Sequence, residues 1–221
     1  MSTLDGWGLD GDKVIKETYL TRKPAPRSQW VALASVAVLF AASLVYWSDA
    51  FGIASLLPAS RESVYFRGEY WRLLSSILIH ADFQHFLANG VVLGVLAFLL
   101  YGYYGVTVYP GLTLLFGALV TGLSLKSYPA QTWLVGASGV VYLMAGFWLA
   151  LYLMLERRVS IGKRLVRAIG FGVIVLVPTA FEPAVSYRTH LIGLLVGIGC
   201  AIAYFNKHKK RLRAAERVVY E

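Results

Sequence analysis

Cysteine and charged residues are scarce in this sequence, and each scarcity excludes a class of protein. Cys200 is the single cysteine among 221 residues, so neither an intrachain disulfide nor a cysteine zinc cluster can form. Charged residues make up only 15% of the chain, whereas apolar residues make up 57% and the mean hydropathy is +0.60. Because soluble domains carry about 25% charged residues, the composition predicts a membrane protein.

Acidic residues are also few, since 12 Asp and Glu oppose 21 Lys and Arg and give a net charge of +9. The basic residues cluster beside long apolar segments and form no basic face with interleaved aromatic residues, so we expect no nucleic-acid partner. The first 27 residues mix acids with bases and contain no apolar run, which excludes a cleavable signal peptide. We expect them to form a polar tail without a fold of its own.

Six apolar segments are close to the length that crosses a bilayer. A helix rises 1.5 Å per residue, so about 20 apolar residues cross the roughly 30 Å hydrocarbon core. The shortest segment is the fifth, from Ala168 to Phe181, with 14 residues. We therefore predict an all-α protein with a polar tail (1–29), a six-helix core (30–205) and a basic tail (206–221). The predicted spans are 30–47, 75–100, 106–125, 138–155, 168–181 and 190–205.

The distribution of Lys and Arg predicts the orientation of these spans. If the N-terminus is inside, the inner segments hold sixteen Lys and Arg and the outer segments hold five. Cytoplasmic segments carry the excess of positive charge in membrane proteins, so both termini are predicted to be cytoplasmic. The outer five are Arg61, Arg67, Arg72, Lys126 and Arg188.

With this topology, the second, fourth and sixth spans all carry polar residues at their outer ends. Polar side chains inside a membrane are costly and indicate a functional site. A serine there can be a small packing residue, or a nucleophile if a base removes its proton, and histidine is the usual base near neutral pH. His208 is excluded as that base because it lies in the cytoplasmic tail. The outer polar residues are His80, His85, Asn89, Ser138 and His190.

Helical spacing predicts how the fourth and sixth spans meet. Ser138, Tyr142 and Gly146 share one helix face, and His190, Gly193 and Gly197 share another. A GxxxG pair permits close helix contact. If these faces pack together, His190 lies opposite Ser138 and Tyr142 flanks the imidazole ring.

Two side chains on the second span are candidates for stabilising an oxyanion. His85 and Asn89 are four residues apart, hence on one helix face, and both donate hydrogen bonds. His80 lies about 140° around the same predicted helix from His85 and is assigned another role. Metal binding by the two histidines is the alternative, but we expect no metal because the spacing splays them and the only nearby carboxylate is Asp82.

Taken together, these motifs resemble the rhomboid family of intramembrane serine proteases. "HADFQHFLANG" resembles the family's H-x4-H-x3-N signature, "GASGVVYLMAG" its GxSG segment, "HLIGLLVG" its last core helix, and "YWRLL" its tryptophan-arginine pair. The resemblance implies a Ser138–His190 dyad with an oxyanion site formed by His85, Asn89 and the Ser138 backbone. It implies supporting roles for His80, Tyr142, Gly136, Gly139, Gly193, Gly197, Trp71 and Arg72.

The sequence departs from the family pattern at two positions. Thr189 precedes the histidine where alanine is common, and Gly90 follows the asparagine where a larger apolar residue is common. Neither removes a catalytic group.

The expected function is hydrolysis of peptide bonds in or next to the membrane segments of single-pass proteins. The resemblance implies no metal or organic cofactor and a site that opens to the non-cytoplasmic side of a plasma or inner membrane. Two alternatives remain: a non-proteolytic rhomboid-like protein that binds or remodels membrane clients, and, more distantly, a six-span transporter. A transporter would need charged or ion-coordinating residues near mid-membrane, and these spans hold almost none.

Overall fold

A computed structural model describes residues 13–180 and 186–220. Most of this part of the chain is helical, with short strands at its ends and in two of the loops. The helices are α1 (Ser28–Trp47), α2 (Arg72–Leu78), α3 (Phe83–Tyr104), α4 (Thr113–Leu125), α5 (Ser138–Leu155), α6 (Ile161–Ala180) and α7 (Tyr187–Arg213). The strands are β1 (Lys13–Glu17), β2 (Ala59–Ser60), β3 (Trp133–Leu134) and β4 (Arg217–Tyr220).

Within the described residues, five helical segments are long and apolar enough to cross a membrane. They are α1, α3, the segment Thr107–Leu125 that ends with α4, α5, and α7. Helix α1 exposes large apolar side chains such as Leu33 and Val38, whereas α5 is largely buried among the other helices. The observed bounds of α5 are those predicted from the sequence for the fourth span.

The predicted second span is not one continuous helix, and this prediction was wrong. Helix α2 ends at Leu78 and α3 begins at Phe83. The carboxylate of Asp82 caps the new helix by accepting the backbone N–H of His85 at 2.8 Å, as N-cap aspartates do. His80 therefore lies in the connection between the helices, and its ring centroid is only 5.2 Å from that of His85.

The fifth span also differs from its prediction. Helix α6 begins at Ile161 and contains 20 residues, which gives a length of about 30 Å, so the helix starts before the predicted 14-residue apolar span. Its first turns contain basic residues that were assigned to a loop, and Arg164 donates to the carbonyl of Leu153 in α5 at 2.7 Å. The predicted end of this span, Phe181, lies outside the described residues.

Helices α5 and α7 pack with their backbones in close contact, as the glycine spacing predicted. A Cβ added at Gly146 would overlap the carbonyl of Leu194 in α7, and one added at Gly197 would overlap the carbonyl of Leu143 in α5. Gly193 meets the carbonyl of Gly139 in the same way. Glycine is required at these positions because any side chain would separate the two helices.

The described parts of the terminal segments, which begin at Lys13 and end at Tyr220, contain regular structure. Strands β1 and β4 pair antiparallel, with Lys13 opposite Tyr220 and Ile15 opposite Val218. Helix α7 continues through the predicted basic tail to Arg213. After β1, the chain packs Tyr19 against Tyr104 of α3, with ring centroids 5.9 Å apart. The two ends of the described chain thus meet beyond the C-terminal ends of α3 and α7.

The α5–α7 contact predicts opposite effects at two glycines of α7. Gly197→Ala should lower the free energy of unfolding by about 1–3 kcal/mol, because a methyl group is forced into a filled contact. Gly199 is the matched control, since a Cβ there meets nothing within 4 Å, and Gly199→Ala should be neutral or stabilising by roughly 0.5–1 kcal/mol. Thermal unfolding in detergent measures both variants. Equal Tm values for the two variants would contradict the packing.

Candidate active site

Ser138 is the first residue of α5, and hydrogen bonds fix the backbone of the loop that precedes it. Gly136 has a φ of +109°, a backbone conformation that glycine adopts readily and other residues rarely adopt. Its N–H donates to the carbonyl of Ser76 at 2.9 Å, and the preceding strand β3 pairs with β2. Ser138 is half-buried, and Ala137 beside it is fully buried. The serine is therefore presented at a helix start by a constrained turn.

His190 lies in the first turn of α7 and faces the start of α5. Its ring stacks on Tyr142, with centroids 4.0 Å apart and an angle of 13° between the planes. This is the arrangement that helical spacing predicted. The first turns of the helices touch, because a Cβ at Gly139 would lie 2.8 Å from Cγ2 of Thr189. Ser138 and His190 thus each lie next to a residue of this contact between α5 and α7.

The Nε2 atom of His190 is buried and has no hydrogen-bond partner among the described residues. An imidazole nitrogen without a partner at this place can accept a proton from a nearby hydroxyl. Hydrogen bonds between a nucleophile and its base are often long in ligand-free enzymes and shorten when substrate binds. The geometry is therefore compatible with a base that engages Ser138 during the reaction.

The start of α7 is held by a hydroxyl network that the sequence did not predict. Ser186 caps the helix by accepting the N–H of Thr189 at 3.2 Å, and its hydroxyl also contacts the hydroxyls of Thr189 and Tyr128. Arg188 donates to the carbonyl of Ser127. Thr189, one of the departures from the family pattern, therefore helps to fix the turn that carries His190.

His85 and Asn89 lie on α3 beside the serine loop. A Cβ at Gly136 would be 2.7 Å from Cε1 and 2.9 Å from Nε2 of His85, so the ring covers the turn before Ser138. Asn89 is 1% exposed and donates from Nδ2 to the carbonyl of His85 at 2.9 Å. Its buried Oδ1 has no partner among the described residues. The structure brings these two residues to one face of α3, as predicted.

His80 is fully buried and connects α1 to the serine loop. Its Nδ1 is 3.2 Å from Oγ of Ser43, and the N–H of Ala137 donates to its Nε2 at 3.3 Å. The indole N–H of Trp47 donates to the backbone carbonyl of His80 at 2.7 Å. Ser43 and Trp47 were not recognised as site residues, because their sequence positions indicate only a membrane span. A polar side chain inside that span was the one available signal.

Trp71 and Arg72 hold the long loop that joins α1 to α2. Arg72 is 2% exposed and donates to the carbonyls of Ser55 and Pro58 at 2.8 and 2.9 Å. Its Nε donates to the Glu69 carboxylate at 2.5 Å. Trp71 is exposed and donates to the carbonyl of Leu56. These contacts agree with the supporting role that is expected of Trp71 and Arg72.

A small cavity of about 30 Å³ adjoins Ser138, which is large enough to hold a water molecule. Hydroxyl groups dominate its polar lining. They belong to Ser76, Thr121, Ser138, Ser186 and Thr189. In the described parts of the chain, no group of three His, Cys, Asp or Glu side chains is arranged to hold a metal ion. The site therefore offers a serine, an imidazole and room for water.

Gly136→Ala should lower the reactivity of Ser138 by more than its loss of stability explains. A methyl group at this position both strains the backbone and collides with the His85 ring. Gly105→Ala is the matched control, because Gly105 has a φ of +77° but a Cβ there meets nothing within 4 Å. Both variants should lose about 1–3 kcal/mol, because each puts a side chain at a positive φ that favours glycine. Only Gly136→Ala should lose labelling of Ser138 by a fluorophosphonate probe, and undiminished labelling would contradict the arrangement.

Comparison with known proteins identifies the family. The Rhomboid domain family model matches residues 67–207. The Bacillus subtilis (strain 168) protein named "Putative rhomboid protease YdcA" is 29% identical over 195 residues, which are 82% of this chain and 89% of that protein. Rhomboid-related protein 2 of Mus musculus is 30% identical over 160 residues, 66% of this chain and 52% of the mouse protein. The chain therefore belongs to the rhomboid family and is a multi-pass integral membrane protein.

Proposed function

We propose that this protein is a serine endopeptidase that hydrolyses peptide bonds in or next to the transmembrane segments of other membrane proteins. The observation that carries the proposal is the stack of His190 on Tyr142 at the contact between the first turns of α5 and α7. This contact supports the proposal because it orients the imidazole of His190 at the helix contact next to the residue that starts α5. The rhomboid membership of the chain gives independent support.

In the proposed reaction, Ser138 and His190 act as a dyad. Nε2 of His190 takes the proton of the serine hydroxyl while Oγ attacks the peptide carbonyl carbon. When the tetrahedral intermediate collapses, the imidazolium gives this proton to the departing amine. A water molecule then attacks the acyl-enzyme and gives a proton to His190. Collapse of this second intermediate releases the acid product, and the imidazolium returns the proton to Oγ of Ser138. Tyr142 holds the ring in place, and no cofactor is needed for any step.

The developing oxyanion requires hydrogen-bond donors. The backbone N–H of Ser138 is suited to this role because the first N–H groups of a helix have no partner within it. His85 lies against Gly136 and Asn89 lies one turn along α3, so their side chains approach the same region. Donors that are already in place before the reaction stabilise charge as it forms, and this stabilisation accounts for much of the rate enhancement in many acyl transfers.

The proposed topology has six membrane crossings with both termini in the cytoplasm. The pairing of β1 with β4 keeps the two terminal segments on the same side, which requires an even number of crossings. Five candidate spans together with α6 make six. Sixteen of the 21 Lys and Arg then lie inside, in agreement with the positive-inside rule. Ser138 and His190 open to the non-cytoplasmic side of a plasma or inner membrane.

The proposed substrates are single-pass membrane proteins whose helices unwind near the outer surface. In lipid, a helix keeps its carbonyl groups in hydrogen bonds, so a peptide bond becomes open to attack only where the helix ends or unwinds. The shallow position of Ser138, at the first residue of α5, is suited to such bonds. Water also reaches this depth more readily than the bilayer centre.

Removal of either dyad residue should abolish cleavage. Ser138→Ala and His190→Ala should each leave no detectable hydrolysis of a tagged single-pass substrate in reconstituted vesicles. The double variant should be no worse than either single variant, since dyad residues act as a unit. A fluorophosphonate probe should label Ser138 in the wild type only. Undiminished cleavage by Ser138→Ala would overturn the proposal, and client binding without any cleavage by the wild type would favour a non-proteolytic relative.

Loss of one oxyanion donor should slow turnover without abolishing it. His85→Ala and Asn89→Ala should each lower kcat by about 10²–10³-fold, with little change in KM, because the donors act on charge that forms during the reaction. Steady-state kinetics with a fluorogenic transmembrane substrate measures both constants. A fully active His85→Ala variant alongside an inactive His80→Ala variant would show that the roles of the two histidines are reversed.

A further inference from the structure

The ring of His80 has a different partner on each of its two nitrogens. Nδ1 faces the hydroxyl of Ser43 on α1 at 3.2 Å, and Nε2 faces the backbone N–H of Ala137 at 3.3 Å. Ser43, His80 and Ala137 are all 0% exposed. These groups therefore form no hydrogen bonds with bulk solvent. Each depends on the others for its hydrogen-bond partner.

The identity of these partners determines where His80 carries its proton. A backbone amide only donates, so Nε2 must accept and cannot hold a proton. A neutral imidazole then has its proton on Nδ1, which donates to Oγ of Ser43. The opposite tautomer would set two N–H groups against each other at Ala137, and an imidazolium would do the same. Ser43 supplies the acceptor that the productive tautomer requires.

This tautomer in turn fixes the backbone immediately before the nucleophile. The N–H of Ala137 is held by His80 on one side, and the N–H of Gly136 is held by Ser76 on the other. Two successive peptide units are thereby anchored to different elements. The next amide in the chain, that of Ser138, then points in a single direction.

We propose that Ser43 is a positioning residue for the Ser138 turn, acting through the tautomer of His80. The role rests on the proposed protease function. Helix α1 lies outside residues 67–207, the part that the family model matches. Its Ser43 nevertheless reaches the amide before the nucleophile through a single imidazole ring. Trp47 supports the same connection from α1 by holding the backbone carbonyl of His80 at 2.7 Å.

Kinetics of matched serine variants on α1 test the role. Ser43→Ala should lower kcat by about 10–100-fold, by analogy with the loss of groups that orient metal-bound histidines, and should leave KM unchanged. Ser43→Thr restores the hydroxyl and should recover much of the lost kcat. Ser48→Ala is the control, because the Ser48 hydroxyl donates to the carbonyl of Leu44 in its own helix. This control should behave like the wild type.

A spectroscopic measurement separates positioning from packing and needs no activity. The chain has four histidines, so ¹⁵N-histidine labelling with single His→Gln variants assigns each ring by NMR in micelles. In the wild type, Nδ1 of His80 should be protonated and Nε2 unprotonated. In Ser43→Ala the ring should populate both tautomers, whereas in Ser48→Ala it should not.

The outcomes distinguish the two proposals. If Ser43→Ala lowers only Tm, with the His80 tautomer and kcat unchanged, Ser43 is a packing residue and the positioning role is overturned. If the wild type shows the expected tautomer but neither hydrolyses substrate nor reacts with the probe, the protease proposal fails while the Ser43–His80 bond stands. A shifted tautomer with a lower kcat and recovery by threonine supports the positioning role.

Discussion

The backbone contact between α5 and α7 is the constraint on which the other features of the site depend. Gly146, Gly193 and Gly197 each leave room for a carbonyl group of the opposite helix, so the two helices approach more closely than side chains would permit. Close approach sets the Tyr142 ring against His190 and brings the first turns of the helices into contact. Since lipid is as apolar as leucine, such fitted contacts rather than hydrophobic burial hold helices together inside a membrane.

Several parts of this arrangement were predictable because they depend on local periodicity. The bounds of α5, its contact with α7 and the stacked ring pair all follow from the spacing of residues along single helices. The break between α2 and α3 was missed because hydropathy does not register a capping carboxylate, although Asp82 just before Phe83 is an N-cap signal. The early start of α6 was missed because its first turns carry basic side chains, which can extend their charged ends away from the apolar region.

Other parts were not predictable because they join distant segments. Ser43 and His80 are 37 residues apart, and the bond from Ala137 to His80 spans 57. No pattern in a single sequence shows such contacts, since each residue alone resembles an ordinary membrane serine, a buried histidine or a small loop residue. The contacts of Arg72 with the long loop between α1 and α2 also join residues that are separated along the chain. The proposed function therefore depends on residues whose contacts appear only after folding, in addition to the proposed dyad that the motifs indicate.

The terminal sheet has a consequence for the order of assembly. Arg217 and Glu17, which form an ion pair at 3.2 Å, are 200 residues apart, so β1 and β4 can associate only after the segment between them has been synthesised. Contacts of such long sequence separation form late because the intervening chain must first be ordered. The terminal sheet is thus expected to form late in folding. A chain inserted with an odd number of crossings would hold β1 and β4 on opposite sides of the bilayer, and the terminal sheet could not form.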